Sequence, residues 1–362
     1  MIGLSLGCTL LTGLAVGAGP DLVPDLPSFT HPRGYVAYRA EPAPVIDGRL
    51  DDLAWQAAPW TEEFVDIEGE QMLAPLHATR AKMLWDDDYL YVGARLEEPH
   101  IWATLTERDS VIFHDNDFEV FIDPDADNHQ YYEIEINALN TVWDLRLVKP
   151  YREGGPALND WDIEGLRTAV HIEGTLNDCR DEDRFWSVEM AFPWTALAAY
   201  SRVPSPPAPG DQWRINFSRV EWDTVIDGID YVKVAGRPEH NWVWSPQGTI
   251  DMHRPETWGY VQFSDAEVGT EAFRPDPTYA GRVVLQRIYY AQKAYHQAHG
   301  EWARSLDALG LAYLTHEAVA VGPTMELDAL DGWFATVTVG HDGGETKLRI
   351  RADAFLTAAP AR

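Results

Sequence analysis

Cysteine is nearly absent from this sequence: its 362 residues include only Cys8 and Cys179. If an N-terminal segment containing Cys8 is removed, Cys179 stands alone and no internal disulfide can form. A single cysteine of this kind is usually a small buried side chain. We therefore expect the folded chain to be stabilised by its core and not by covalent cross-links.

Basic residues are also scarce. Lysine and arginine together number 28 against 58 aspartates and glutamates, which gives a formal net charge of −30. A surface of this sign repels the phosphates of nucleic acids and of anionic membranes. We therefore expect no nucleic-acid partner.

No apolar run is long enough to predict a membrane span. Residues 1–20, MIGLSLGCTLLTGLAVGAGP, are apolar but short and broken by glycines. They are similar to the apolar and cleavage regions of a secretory signal without its basic start, so we predict a signal peptide over residues 1–19. The location would then be secreted, periplasmic or at the cell surface. LSLGC is also similar to a lipoprotein acceptor, which makes Cys8 a candidate lipid anchor, although Leu6 stands where that pattern has a small residue.

Catalytic motifs are missing as well. Outside GLSLG (3–7), which lies in the predicted signal peptide, there is no Gly-x-Ser-x-Gly. HEAVA at 316–320 lacks the second histidine of a zinc-protease helix, and no Cys-x-x-Cys-His could attach haem. Paired carboxylates are compatible with glycoside chemistry, because Glu133 and Glu135 share a strand face, as do Asp117 and Glu119. Acidic strands contain many such pairs, so an enzyme has no positive motif in its favour.

Residues 34–264 are instead a series of short β-type runs. Turn residues separate the runs, and several of them alternate polar and apolar positions as half-buried strands do. This pattern predicts a mainly β fold, an antiparallel β-sandwich, with short helices only at 49–57 and 193–200. The predicted strands cover residues 35–40, 78–85, 89–96, 117–123, 130–137, 141–148, 166–173, 184–192, 212–222, 231–235, 241–245 and 258–263.

Two proline-containing segments flank the β-rich region. Residues 20–33 precede it and residues 265–280 follow it, and we predict both to be linkers. Beyond residue 280 the apolar spacing changes from the two-residue period of strands to the period of a helix. The chain is therefore predicted to contain a sandwich over 34–264 and a small α+β unit over 281–362.

The C-terminal unit is predicted to begin with a helix. Val284, Ile288, Ala291 and Tyr295 recur on one helix face, and Gly300 supplies a stop. The following segments predict a short helix in SLDALG (305–310) and a hairpin around HDGGE (341–345). The unit resembles the globular part of type IV pilin-like proteins but lacks their long apolar helix, so no filament is inferred.

Carboxylates are concentrated between Glu97 and Glu135, where twelve of them accompany one arginine. Within this stretch DPDADN places Asp123, Asp125 and Asp127 at alternate positions, as the start of a calcium loop does. The glycine and glutamate that complete an EF-hand are replaced. Two interpretations stay open: a polar hairpin turn, or a Ca²⁺ site, since hard oxygen ligands in an exported chain favour Ca²⁺.

Tryptophan is unusually frequent, with 15 residues. In NWVWSPQG (241–248), Trp242 and Trp244 are two residues apart, so they share one face of a strand. An indole face can stack on the C–H face of a sugar ring, and it can equally fill the core of a sandwich.

Six segments in order resemble the family 9 carbohydrate-binding modules and their secreted bacterial relatives. The resemblance covers residues 34–264 and implies a β-sandwich binding domain without its own catalysis, in a family whose members often carry calcium. It also places Trp244 at an apolar strand position, which favours the core for Trp242 and Trp244. The segments are PVIDGRLDDLAWQAAP (44–59), MLWDDDYLYVGARLEEP (83–99), DNDFEVFIDPDADN (115–128), EMAFPWTAL (189–197), WRINFSRV (213–220) and WSPQGTIDMHRPETWGYVQF (244–263).

The resemblance also implies positions for a sugar site. The acidic ligand-binding position falls on Glu119, the first aromatic on Phe113, and the amide of the next strand on Asn137. The basic position of the family falls on Glu135, which reverses its charge.

The second aromatic of the sugar clamp is not matched by an aromatic. It falls near Met252, with His253 beside it. Trp143 and Trp161, in the segment TVWDLRLVKPYREGGPALNDWDIEG (141–165), could rebuild the pocket. We therefore predict that Phe113, Glu119, Asn137, Trp143 and Trp161 line one concave surface.

The leading functional prediction is a secreted, non-catalytic protein that binds xylan or a related poly- or oligosaccharide. One alternative is a structural or assembly protein of the cell surface that uses the same sandwich. Another is a glycoside-active enzyme. Haem binding is a minor alternative that would need an axial ligand such as Met252 or His253.

Overall fold

The computed structural model describes residues 26–329 and 332–361. The predicted signal peptide and Cys8 lie outside the described residues. The strands are β1 (Gly34–Arg39), β2 (Val65–Asp66), β3 (Thr79–Trp85), β4 (Tyr89–Glu97), β5 (Asp117–Asp123), β6 (Tyr131–Asn137), β7 (Val142–Leu147), β8 (Ala157–Leu158), β9 (Arg167–Glu173), β10 (Phe185–Pro193), β11 (Gln212–Glu221), β12 (Thr224–Asp227), β13 (Asp230–Lys233), β14 (His240–Val243), β15 (Gly259–Ser264), β16 (Val319–Asp328), β17 (Gly332–His341), β18 (Gly344–Arg351) and β19 (Leu356–Pro360). The α-helices are α1 (Leu53–Ala57), α2 (Trp194–Leu197) and α3 (Tyr279–His299).

Thirteen strands form one curled sheet, in the order β8-β7-β6-β5-β11-β15-β1-β3-β4-β10-β9, with β14 on β11 and β2 on β14. The long strand β11 pairs with β15 through Gln212–Ile215 and with β14 through Ser218–Glu221. The sheet therefore bends at β11, and its two halves face one another. This is the predicted mainly β, sandwich-like fold.

The core lies between the two halves of the sheet. Val120 of β5 and Ile134 of β6 belong to the same buried cluster as Val92 of β4 and Val188 of β10. Apolar side chains at alternate positions supply both inner faces, as the two-residue period requires. The opposite side chains of β5 and β6 point outward, and this outer face carries the candidate site.

Trp242 and Trp244 are buried, at 2% and 0% exposure, in the core cluster. Gly259 lies against Trp244, so close that an added Cβ would stand 2.4 Å from the indole ring. The tryptophan pair is therefore part of the core, as predicted from its place before the Ser-Pro turn.

Three details differ from the sequence-based prediction. Strand β1 runs parallel to both β15 and β3, although an all-antiparallel sheet was expected. The segment 305–310 forms turns and no helix. Short or edge strands such as β2, β8 and β16 were missed, because two-residue bridges and polar edges leave no alternating pattern to detect.

The C-terminal unit packs α3 on the four-stranded antiparallel sheet β16-β17-β18-β19. Helix α3 ends at Gly300, whose φ of 74° lies in the left-handed region that glycine adopts without cost. The described part of the first predicted linker, from residue 26, and the second predicted linker both contact the folded units: Tyr279 donates to Ser28 O, and Tyr260 donates to Asp276. That the two units separate on proteolysis stays a prediction.

Within residues 26–329 and 332–361, no helix combines the length and apolar character needed to cross a membrane.

Candidate functional site

The outer face of the sheet formed by β7, β6, β5 and β11 carries an acidic row. Alternation along β5 places Asp117 and Glu119 outward, and alternation along β6 does the same for Glu133 and Glu135. The register then pairs Glu119 with Glu135 across the two strands. On the other side of β5, Ser218 of β11 stands opposite Glu119. Four carboxylates and a hydroxyl thus meet on one buried patch, which we call the acidic face.

The carboxylates of the acidic face are close together. One oxygen each of Asp117, Glu119 and Glu135 lies within 4.8 Å of the others. Backbone amides satisfy part of the group: Val220 N donates to Asp117 Oδ1 at 3.2 Å, and Phe113 N donates to Glu135 Oε2 at 2.9 Å.

Burial disfavours the ionised form of these acids. It raises the pKa of Glu119 to about 7. Burial, followed by repulsion from Glu119, raises the pKa of Asp117 and of Glu135 well above the usual range. The acidic face therefore favours the binding of protons, hydrogen-bond donors or cations.

Aromatic side chains surround the acidic face. Trp143 of β7 stands opposite Glu135 in the register, and Phe113 reaches the same carboxylate through its backbone amide. Tyr151, in a short turn after β7, is 50% exposed. Burial and the nearby charges of Glu133 and Glu135 raise the pKa of Tyr151 to about 12. These three rings form what we call the aromatic rim.

His253 joins the acidic face to the loop that covers it. Its Nδ1 lies 2.9 Å from the hydroxyl of Tyr131, and its ring stands edge-on to Tyr151 with 4.4 Å between centroids. Its Nε2 lies 3.9 Å from Glu133 Oε1. Burial, then the positive charge of Arg152, lowers the pKa of His253 to about 3, so the ring is neutral at pH 7.

Two residues of the predicted surface have other surroundings. Asn137 is buried and uses all its amide groups internally: Nδ2 donates to Leu105 O and Asp115, and Oδ1 accepts from Leu139 N and Thr141 N. Trp161 stacks on Tyr132, whose side chain belongs to the core between the layers. The structure therefore brings Phe113, Glu119 and Trp143 together and leaves Trp161 apart from them.

Met252 is buried on the outer side of the sheet. It belongs to an apolar cluster on the outer side of the sheet, with Phe121 and Trp258. Trp258 Nε1 donates to Met252 O at 2.9 Å, which fixes the covering loop. Met252 thus supports the loop that carries His253.

The predicted calcium loop connects β5 with β6. One carboxylate oxygen each of Asp123, Asp125 and Asp127 lies within 4.8 Å of the others. Asp123 Oδ2 accepts a hydrogen bond from Asn128 N, while its buried Oδ1 has no partner in the described part of the chain. The donors are all oxygen and one is unsatisfied, so the loop fits a hard cation such as Ca²⁺.

Tyr151 was missed by sequence reasoning, as were two residues beside Phe113. Trp222 Nε1 donates to Phe113 O at 2.9 Å, and Lys233 Nζ lies 3.5 Å from the centre of the Trp222 ring. Lys233 belongs to the β12–β13 hairpin, which is distant in sequence. Tyr151 lies in KPYREGG. The glycines of this segment predict a loop, but they do not predict which face of the sheet the loop contacts.

A curled β-sandwich with an acidic face and an aromatic rim defines a ligand-binding domain. The family model described as "Carbohydrate family 9 binding domain-like" matches residues 46–262, more than half of the sequence. The chain therefore belongs to the family 9 carbohydrate-binding domain-like proteins.

Two similar curated proteins are the Exoglucanase XynX of Acetivibrio thermocellus and the Endo-1,4-beta-xylanase A of Thermoanaerobacterium saccharolyticum. Each is 28% identical over 158 residues, or 42% of this chain. The chain spans only 12% and 11% of their lengths, respectively. The similarity is thus to a small part of each of these larger proteins.

Solved structures with a similar chain path include a family 9 carbohydrate-binding module from Caldicellulosiruptor kristjanssonii. Its complex with cellotriose is 16% identical, with a TM-score of 0.41, and the match covers 67% of this chain and 100% of that one. Its complex with glucose is also 16% identical, with a TM-score of 0.41, and the match covers 66% and 100%.

Proposed function

We propose that this chain is a secreted, non-catalytic protein that binds a plant-type polysaccharide at the aromatic rim. The observation that carries the proposal is the half-exposed ring of Tyr151, which lies near the buried carboxylates Glu133 and Glu135, on the face where Trp143 stands opposite Glu135. Flat aromatic rings stack on the C–H faces of sugars. Family membership supports a carbohydrate as the ligand.

The names of the curated relatives suggest the ligand class. One is an exoglucanase and the other a xylanase, so β-1,4-linked xylan and glucan are the first candidates. The acidic face supports a binding role over a hydrolytic one. Two catalytic carboxylates must stand on opposite sides of a glycosidic bond, about 5–9.5 Å apart. Here the carboxylates lie within 4.8 Å of one another and are at most 5% exposed, which leaves no room for a sugar between them.

Within this proposal Asn137 positions the site and does not contact the sugar. Its amide ties Asp115 and Leu105 to the end of β6. Phe113, Trp143 and Tyr151 make the stacking contacts, and Glu119 and Glu135 lie beneath them.

Replacing Tyr151 with alanine should weaken binding of xylo- or cello-oligosaccharides about tenfold, because truncating a central aromatic contact typically costs more than 1 kcal/mol. Isothermal titration calorimetry with oligosaccharides of four to six sugars measures this change. Tyr313→Ala is the matched control, since Tyr313 is 97% exposed and lies in the C-terminal unit. If Tyr151→Ala and Tyr313→Ala bind the oligosaccharides with equal affinity, the ligand does not bind at the aromatic rim.

We also propose that the loop of Asp123, Asp125 and Asp127 holds Ca²⁺. The loop backbone is fixed by the C-terminal unit: Arg282 donates to Ala126 O, and Leu356 N donates to Asp127 O. A bound ion would offset the repulsion among the three carboxylates. It would also hold the β5–β6 connection in the shape that contacts the second unit.

Chelation should therefore lower the melting temperature of the whole chain. A ligand at one hundred times its Kd stabilises the native state by about 2.7 kcal/mol, and removing it reverses that gain. Differential scanning calorimetry with and without EDTA, followed by added Ca²⁺, measures the shift. Asp125→Asn keeps an oxygen for the amide of Arg202 but removes one charge, so its Ca²⁺-dependent shift should be smaller. If the Ca²⁺-dependent shift in melting temperature is the same for Asp125→Asn and for the parent protein, the loop is a polar turn and not a Ca²⁺ site.

A further inference from the structure

The short turn that carries Tyr151 is held by the C-terminal unit. It spans Tyr151–Glu153 and follows β7, and we call it the Tyr151 turn. Glu153 accepts hydrogen bonds from two residues of α3, the hydroxyl of Tyr289 and Nζ of Lys293, the second at 2.7 Å. The side chain of Glu153 is only 7% exposed, so water has little access to its carboxylate. The two bonds therefore fix the end of the turn against α3.

Arg152 ties the same helix to the loop of His253. Its Nε donates to the hydroxyl of Tyr289 at 3.2 Å, and its Nη1 donates to His253 O at 2.5 Å. Its Nη2 lies 2.9 Å from the buried carboxylate of Glu256. The His253 ring in turn stands edge-on to Tyr151. One guanidinium thus sets the positions of both the turn and the covering loop relative to α3.

A third contact lies just before the turn. Lys149 Nζ is 3.1 Å from Asp353, in the connection between β18 and β19. Three of the five residues 149–153 therefore pair with side chains of the C-terminal unit. The next two residues are Gly154 and Gly155, with φ of 86° and 58°, and they have no side chain that could hold the loop. The position of the loop therefore depends on the contacts that precede them.

The two units also contact each other away from the Tyr151 turn. Arg282 donates to Ala126 O, and His129 Nε2 lies 2.7 Å from Asp353 O. These contacts attach the C-terminal unit at the β5–β6 loop. The charged pairs around the turn are additional to them, and they are made beside the most exposed ring of the aromatic rim. This placement indicates a role for the C-terminal unit at the ligand site.

We propose that the C-terminal unit positions the aromatic rim, with α3 holding the Tyr151 turn in the orientation in which the ring stacks on a sugar. Tyr289 and Lys293 are the positioning residues, and they act through Glu153 and not by contact with the ligand. The inference rests on the proposed function, because it requires that the ligand contacts Tyr151. A ring that is already held in place loses less conformational freedom on binding, so removing its support lowers the affinity.

Amide hydrogen exchange tests the positioning in the absence of a ligand. In the full chain, Tyr289→Phe/Lys293→Met removes both donors to Glu153 but keeps the phenyl ring and the apolar stem. The amides of Glu153 and Gly154 donate within the turn, at 2.8 and 2.9 Å, and their exchange reports its opening. We expect these amides to exchange several-fold faster than in the parent protein. The amides of β5 and β6 should stay protected, which shows that the sandwich remains folded.

Oligosaccharide affinity tests the consequence at the site. The apparent Kd rises as the fraction of molecules in the binding-competent conformation falls. Calorimetry should show that the double variant binds xylohexaose or cellohexaose at least about threefold more weakly, as expected if the turn is competent for about a third of the time. Lys347→Met is the control, because it makes the same charge change at an exposed position of the same unit.

A conservative variant separates positioning from a general weakening of α3. Tyr289→Phe/Lys293→Arg returns a positive charge beside Glu153 and should recover most of the lost affinity. Affinity that is not recovered, or unchanged exchange in the Tyr151 turn of the double variant, would overturn the inference. So would parent-like affinity of the double variant when Tyr151→Ala binds weakly. If Tyr151→Ala itself binds as tightly as the parent protein, the proposed function at the rim fails, and this inference fails with it.

Discussion

Replacing Trp244 with alanine should lower the free energy of unfolding by about 3–5 kcal/mol, the cost of truncating a buried tryptophan. Trp244 is fully buried between Phe217, whose ring centre lies 5.8 Å away, and Gly259. Its indole Nε1 also donates to Glu62 at 3.1 Å. The substitution leaves a cavity in the core, and the exposed Glu62 carboxylate can bond to water instead. Urea unfolding followed by circular dichroism measures the loss.

Trp60 provides the matched control for Trp244. It is 37% exposed, and its main polar contact is the ammonium of Lys82, 4.3 Å from the ring centre. Trp60→Ala should cost about 1 kcal/mol, in the range of an exposed cation–π contact. If the two variants unfold at the same urea concentration, then Trp244 does not stabilise the sandwich core.

Strand positions were predictable because alternation is a local property of the sequence. All twelve predicted strands exist, and segments such as DFEVFID (117–123) coincide with their strands. The parallel pairing of β1 was not predictable in this way. Its neighbours β15 and β3 are set by contacts between distant parts of the chain, and a strand pattern carries no information about direction.

The acidic face could also be predicted only in part from the sequence. Alternation alone predicts that Asp117 shares a face with Glu119, and Glu133 with Glu135. Only the register shows that the two pairs meet. Burial then changes their chemistry, since carboxylates that would be ionised on a surface have raised pKa values here. The sequence indicated a surface rich in charge, whereas the structure buries these carboxylates, and burial disfavours their ionised form.

The aromatic rim was predicted in part. The sequence named Phe113 and Trp143 as candidates, and their contact with a sugar stays a prediction. Trp161 follows Trp143 closely in sequence, yet it stacks on Tyr132 beside the core. Tyr151 lies between β7 and β8, and its nearness to Glu133 and His253 is set by tertiary contacts. Loop paths of this kind depend on tertiary contacts and have no sequence period.

Replacing Glu256 with glutamine should destabilise the chain by about 3–5 kcal/mol, the cost of breaking a buried ion pair on one side. Glu256 is buried beside two guanidinium groups: Arg152 Nη2 lies 2.9 Å and Arg254 Nε 3.4 Å from its carboxylate. Tyr290 of α3 donates to the same carboxylate. The substitution would leave buried positive charge without its partner and would weaken the contact between the sandwich and the C-terminal unit.

The pH dependence of unfolding distinguishes this ion pair from a packing effect. Burial alone would raise the pKa of Glu256, but Arg152 and Arg254 outweigh it and lower that pKa to about 2. A depressed folded-state pKa gives stability that is present above pH 4.5, the ordinary value, and is lost as pH falls toward 2. The difference is worth about 3 kcal/mol at 1.36 kcal/mol per unit. Glu256→Gln should lose this acid sensitivity, while Glu301→Gln, an exposed control, should keep it. Parallel pH profiles of the parent protein and Glu256→Gln would show that Glu256 is not the group that titrates.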